Sequence, residues 1–269
     1  MNNSSIEPNK GRESDTLFTY LKNLSHFERT RFFNNLISSN LENAFEILLR
    51  VLYFVDDDIN IGAEAAFQIN KLGNKKIFEQ LVQTLSTARN PQIRANAAYA
   101  LGGLKDLRAV EPLINALSDY EEIVRVRSAN SLAALGDKKA IEPLLKLFRE
   151  CSELERNNII DIFGELGDER AFEPILEIMK QLDDDTYFQT ITILGCLNNE
   201  KAFPLLINWL NDQNVNVQIA AAKGLGYFGD SKALDYLRFI QKKYKGKSGI
   251  NISLKNAVKE AIDLIELKT

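Results

Sequence analysis

Apolar residues recur along most of this chain at intervals of three and four, never in sustained strict alternation. In LGDKKAIEPLLKLF, which begins at Leu135, they fall at Ala140, Ile141, Leu144, Leu145, Leu147 and Phe148. That spacing predicts an amphipathic helix with one buried stripe. The stretch before it, Ile123 to Leu135, predicts a second helix with Ala129 and Leu132 facing inward. The whole unit then repeats. Related segments begin at Leu72, Leu104, Leu166, Leu197 and Phe228, in steps of 31 residues with one step of 32. The inward pairs become Ala98 and Leu101, Ile160 and Phe163, Ile191 and Leu194, Ala222 and Leu225. A lone helix pair cannot bury its apolar face, whereas stacked pairs can. The expected fold is an all-α solenoid, a right-handed superhelix of helix pairs.

The punctuation supports the same units. Gly73, Gly136, Gly167 and Gly229 close the first helix of a pair, where a left-handed residue is often needed. Asn74, Asp106, Asp137, Asp168, Asn199 and Asp230 follow as caps for the second helix. Pro112, Pro143 and Pro174 come six residues later, so the regular helix should start a few residues beyond the cap. Pro204 comes one residue early, so the entry turn of that copy should differ. Gly102, Ala133, Gly164, Gly195 and Gly226 form a row of small residues expected to let the two helices of a pair approach closely.

The ends depart from the pattern. Residues 1–14 are polar and read as a disordered tail. Residues 15–54 read as a degenerate N-terminal capping repeat, 55–243 as six repeats, and 244–269 as a linker and C-terminal capping helix. That last helix should bury Ile252, Leu254, Val258, Ile262 and Ile265.

Composition narrows the chemistry. The net charge is −4, which argues against a protein that lives on nucleic-acid phosphates. One histidine and two cysteines cannot supply the usual zinc or di-iron ligand sets. No apolar leader and no run of 18 apolar residues occurs, so a cytoplasmic protein with free thiols at Cys151 and Cys196 is expected. From Asp56 a calcium loop would need Gly at 61 and Glu at 67, where Ile61 and Phe67 stand, and both triplets, Asp56–Asp58 and Asp183–Asp185, read as helix caps. No nucleophile, general base or phosphate loop emerges.

The most regular surface feature is a charge ladder on the second helices. Its bases are Lys76, Arg108, Lys139, Arg170, Lys201 and Lys232; acids follow three residues later at Glu79, Glu111, Glu142, Glu173 and Asp235. These charges could pair locally and between repeats, or present a polar groove to a partner. Aromatics concentrate toward the C-terminus. Trp209 aligns with Leu147 and Ile178 and is expected in the core. Tyr236 and Phe239 align with prolines and charges and are candidate anchors, unless the capping helix covers them. The candidate partner-binding set is therefore Arg108, Lys139, Glu142, Arg170, Glu173, Lys201, Lys232, Tyr236 and Phe239. Arg94, Arg125 and Arg156 form a further ladder on the first helices, read as ties between repeats.

The segments LGDKKAIEPLLKL and LGDERAFEPILEI, with Ile93-Arg94 and Val124-Arg125 before the small-residue helix, resemble HEAT-like repeats, and most of all the phycobilisome lyase HEAT-like subtype. That resemblance implies a HEAT-like solenoid of ~31-residue period and two readings of function. The first is a non-catalytic scaffold that binds protein partners on its concave face and needs no cofactor. The second is a bilin lyase subunit or phycobiliprotein-maturation chaperone, with a bilin as cofactor and a phycobiliprotein or second HEAT-repeat subunit as partner. A HEAT-like nucleic-acid binder is a third reading, against which the net charge speaks. The hydroxylases of this repeat class use paired His-Glu motifs; here the single histidine, His26, precedes Phe27.

Overall fold

The computed structural model describes residues 17, 19–39, 44, 47–48, 51, 59–72, 75–243 and 252–268. The tail 1–14, the break at 244–249, Asp56–Asp58, Gly73, Asn74, the Lys76 side chain and the predicted core positions Phe18, Phe45, Leu49 and Leu52 lie outside them. Every regular element among the described residues is a helix. The chain divides into two compact units, Met1–Asp137 and Lys138–Thr269, with the division in the turn of the third pair.

The first unit contains α1 (His26–Ser39), α2 (Ile59–Leu72), α3 (Lys75–Thr87), α4 (Pro91–Gly103), α5 (Val110–Ala116) and α6 (Glu122–Leu135). Ser25 and Glu28 close a reciprocal cap at the start of α1, 2.8 Å from the Ser25 amide to Glu28 and 3.3 Å from the Glu28 amide to Ser25 Oγ. The predicted inward residues Ala98, Leu101, Ala129 and Leu132 are all buried. Helix α4 lies between α2 and α6, and α3 and α5 pack alongside.

The second unit contains α7 (Ile141–Glu150), α8 (Glu153–Leu166), α9 (Phe172–Ile178), α10 (Asp184–Leu194), α11 (Ala202–Leu210), α12 (Val215–Phe228), α13 (Ala233–Lys243) and α14 (Ile252–Glu266). Ile160, Phe163, Ile191, Leu194, Ala222 and Leu225 are buried as expected. Phe148 meets Phe163 edge to face at 5.5 Å. Helix α14 packs on α12 and α13, occupying the place of a further first helix. It buries Leu254, Val258, Ile262 and Ile265, but Ile252 at its start is exposed.

The turn inside each pair is built as the punctuation implies. Gly136, Gly167 and Gly229 take φ of 70°, 57° and 80°. Where a copy lacks glycine, Lys105 and Asn198 hold the same conformation, each at φ 55°. The Asp or Asn that follows accepts the amide of the residue two further on: Asp106 from Arg108, Asp168 from Arg170, Asn199 from Lys201 and Asp230 from Lys232. A single 3₁₀ turn then precedes α5, α7 and α9, which places Pro112, Pro143 and Pro174 in the first α-helical turn, where no amide is missed. Asp183 likewise caps α10 by accepting from the Thr186 amide at 3.0 Å. A Cβ on Gly136 would meet nothing within 4 Å, so only the backbone opposes one. Gly136→Ala should therefore cost about 1 kcal/mol, read as a small downward shift of the urea midpoint.

Two packing expectations change. The row of small residues joins first helices of neighbouring repeats, not the two helices of one pair. A Cβ on Gly102 (α4) would meet Ser131 (α6) at 2.6 Å; one on Gly164 (α8) would meet Ile193 (α10) at 3.1 Å. One on Gly195, at the end of α10, would meet the Gly224 carbonyl (α12) at 2.1 Å. Hydroxyls stitch the same seams, Ser131 Oγ donating to the Ala98 carbonyl and Thr192 Oγ1 to that of Ala220. Trp209, Leu147 and Ile178 are half-buried, not core. Their row lies at the edge of the apolar stripe, where a large indole keeps one side toward solvent.

Candidate functional site

The second helices carry the ladder, and their turns set its geometry. In four turns the capping Asp or Asn holds the amide of the ladder base, which fixes Arg108, Arg170, Lys201 and Lys232 at the helix entrance. The Arg170 guanidinium then folds back on Asp168, Nε to Oδ1 at 2.9 Å and Nη2 to Oδ2 at 3.0 Å. It also reaches the preceding repeat, donating to Glu142 Oε1 at 3.3 Å and to the Lys138 carbonyl at 3.0 Å. Lys201 pairs with Glu173 in the same manner. In the first unit Arg108 folds onto Asp106, approaches Glu79 at 3.8 Å and lies over the Phe78 ring at 4.3 Å. The ladder therefore runs from the base of one repeat to the acid of the one before, as well as back to the local cap.

The electrostatics follow from that geometry. Hydrogen bonds from Arg108 hold the Asp106 carboxyl below the usual range. Arg170 does the same for Asp168, against the opposing effect of burial. Both carboxylates stay ionised near neutral pH and neither is poised to move a proton. What the ladder can do is orient charge.

Of the nine candidate residues, Glu142 with Arg170 and Glu173 with Lys201 are brought into direct contact. Arg108 belongs to the first unit, and the other eight to the second. Lys139 is exposed at the entrance of α7. Lys232 approaches its own cap, Asp230, at 3.9 Å. Tyr236 and Phe239 lie one turn apart on α13 and are 47% and 63% exposed. Helix α14 therefore leaves both uncovered.

The first-helix ladder ties repeats together. Arg94 binds Asp119, in the link between α5 and α6, through two hydrogen bonds of 2.7 Å. Arg125 donates to the Asp119 and Tyr120 carbonyls, Arg156 to that of Cys151, and Gln218 to that of Asp212. Each thus closes the exit of the helix that precedes it. The first helices of the second unit also border a groove between α8, α10 and α12. Sequence reading missed it, because its walls come from three repeats and share no periodic residue type.

The family model for HEAT repeats matches residues 45–125, 78–162, 110–187 and 172–243. The E. coli protein YibA has a similar structure, at a TM-score of 0.56 and 16% identity over 96% of this chain and 98% of that one. The complex of CpcE and CpcF of phycocyanin lyase from Nostoc sp. PCC7120 matches at 0.49 and 21%, over 82% of this chain and 94% of that one. Human deoxyhypusine hydroxylase in complex with glycerol matches at 0.37 and 20%, over 95% and 96%. No curated protein matches the chain significantly. No helix among the described residues is long and apolar enough to cross a membrane. With its family match spanning most of the sequence and its helix pairs in register, this chain belongs to the HEAT repeat family and is an all-α solenoid.

Proposed function

We propose that the chain is an interaction scaffold that binds a protein partner on the second-helix face of its second unit. The observation that carries this reading is the exposure of Tyr236 and Phe239 on α13, where the aligned positions hold prolines and charges. Aromatic side chains bury large area at low entropic cost and dominate the energy of interfaces that contain them. The flanking charges add orientation and little affinity, since exposed pairs contribute only ~0–1 kcal/mol each. The face is polar and of both signs, which keeps it soluble when empty and selective when filled.

The test uses a partner captured from native lysate and then purified. Phe239→Ala should speed its dissociation by about tenfold or more, the effect expected for an aromatic anchor. Arg170→Glu is a poor probe of steering, because Arg170 also holds Asp168 and Glu142. Lys232→Glu is cleaner and should slow association while leaving the melting curve unchanged. Unaltered kinetics in both variants would place the binding surface elsewhere.

A further inference from the structure

The groove on the first-helix side of the second unit has a volume of about 840 Å³. Its floor is the seam between repeats. Gly164 lies so close to Ile193 that an added Cβ would meet it at 3.1 Å, and the small Ala220 continues the floor toward α12. Phe188 and Ile219 line it and are both partly exposed. Its rim carries Asp161 and Glu165 from α8 and Asp185 from α10; the cations near it among the described residues are Lys223 from α12 and, at the Cys196–Tyr227 end, Lys268, which donates to the Tyr227 carbonyl at 2.8 Å.

Those three carboxylates differ from the ladder acids Glu142 and Glu173. Glu142 and Glu173 are answered by Arg170 and Lys201. Asp161, Glu165 and Asp185 form no ion pair among the described residues. Asp161 accepts only from the Gln189 amide, and burial pushes its carboxyl above the ordinary aspartate range in spite of that bond. A carboxylate without a counter-charge is stabilised by any cation brought beside it.

We propose that this groove is a second docking site, and that its occupant is a short amphipathic basic segment of a partner protein. An apolar side chain of that segment packs on Phe188 and Ile219, and Lys or Arg residues one helical turn away meet Asp161, Glu165 and Asp185. The volume lies within the range of small-ligand clefts and suits one such side chain with its neighbours, not a whole domain. The three carboxylates, none of them ion-paired, outnumber Lys223 and Lys268 and set the sign of the partner. The site is independent of the second-helix face.

The probe is a fluorescein-labelled helical 14-mer with Leu at positions one turn apart and Arg on their flanks, compared with the same peptide carrying Glu for Arg. Anisotropy titrations of the full chain should show saturable binding of the Arg peptide and none of the Glu peptide. Asp161→Asn, Glu165→Gln and Asp185→Asn together should weaken binding by about tenfold. Neutralising Glu142, Glu173 and Asp235 on the other face, or Phe239→Ala, should leave it within about twofold. Equal loss from both triple variants would mean that only net charge attracts the peptide, and would overturn the proposal. So would loss on Phe239→Ala alone. Sedimentation supplies the last arm: a dimer of this chain dissolved by Ile219→Glu would assign the groove to a second copy instead.

Discussion

Gly195→Ala should destabilise the second unit by about 3 kcal/mol or more, the upper end of what overpacking costs. The residue needs no special backbone freedom, since its φ is −68°. What forbids a side chain is distance. The added Cβ would sit 2.1 Å from the Gly224 carbonyl oxygen and 2.6 Å from its carbon. These are backbone atoms in the interior of α12 and cannot rotate away. Gly224 is crowded in turn: a Cβ there would lie 2.7 Å from the end of the Leu206 side chain and 3.1 Å from the Ile191 carbonyl oxygen of α10. The two glycines thus set the closest approach of α10 and α12, and stacking in a solenoid depends on such nearest-neighbour interfaces. Gly164→Ala is the control. Its Cβ would meet only Ile193 side-chain atoms, at 3.1 and 3.2 Å, which can shift. The single tryptophan, Trp209, lies half-buried on the adjoining helix α11 and reports the loss by fluorescence in urea. If Gly195→Ala and Gly164→Ala melt at the same midpoint as wild type, the helices are not in contact at this row.

Those two glycines also mark where the sequence stops being legible. The period, the helix pairs, the left-handed turn at Gly136 and the caps at Asp106 and Asp168 are local devices. Each is completed within a few residues, so the letters alone reveal it. The destination of the small-residue row is not local. Gly195 stands 29 residues before Gly224, and a repeating row fits contact within a pair as well as contact between repeats. Only the stacking decides. The ladder behaves in the same way: the spacing of Arg170 and Glu173 invites an i, i+3 pair, yet Arg170 reaches Glu142 in the repeat before. Tyr236 and Phe239 were legible because they break a register. The groove acids were not, because Asp161, Glu165 and Asp185 break none and become a group only when α8 and α10 lie side by side. Trp209 shows the limit of aligning by position: its row sits at the stripe's edge, where the residue's size decides how much of it is covered.

Asp119→Ala should cost the first unit about 3–5 kcal/mol, the range seen when one partner of a buried ion pair is removed. Arg94 is almost wholly buried, and Asp119 nearly so, with side chains 5% and 12% exposed. Arg94 Nη1 is held by the Ala88 and Arg89 carbonyls at 2.9 and 3.0 Å, and its guanidinium lies 4.8 Å from the centre of the Tyr120 ring. Without Asp119 it would keep those neutral neighbours but lose its carboxylate partner, at a position where water can do little to replace it. The Glu121 amide, which Asp119 Oδ1 accepts at 3.0 Å, would lose its acceptor too. Arg94→Met together with Asp119→Leu should restore much of the loss, because a packed apolar pair leaves no charge to solvate. The pH dependence separates this account from simple loss of packing. Burial opposes ionisation of Asp119, but the bonds from Arg94 and the Glu121 amide and the charges of Arg94 and Arg125 outweigh it and hold the carboxyl below its ordinary value. A carboxyl depressed in the folded state contributes stability that is fully present above its unfolded value of about 3.9 and is lost as pH falls through the folded one. The gap in urea midpoint between wild type and Asp119→Ala should hold steady from pH 7 to 5 and narrow below pH 4. A gap that stays constant down to pH 2.5 would show that the side chain stabilises the turn by filling space, and that its charge does not contribute.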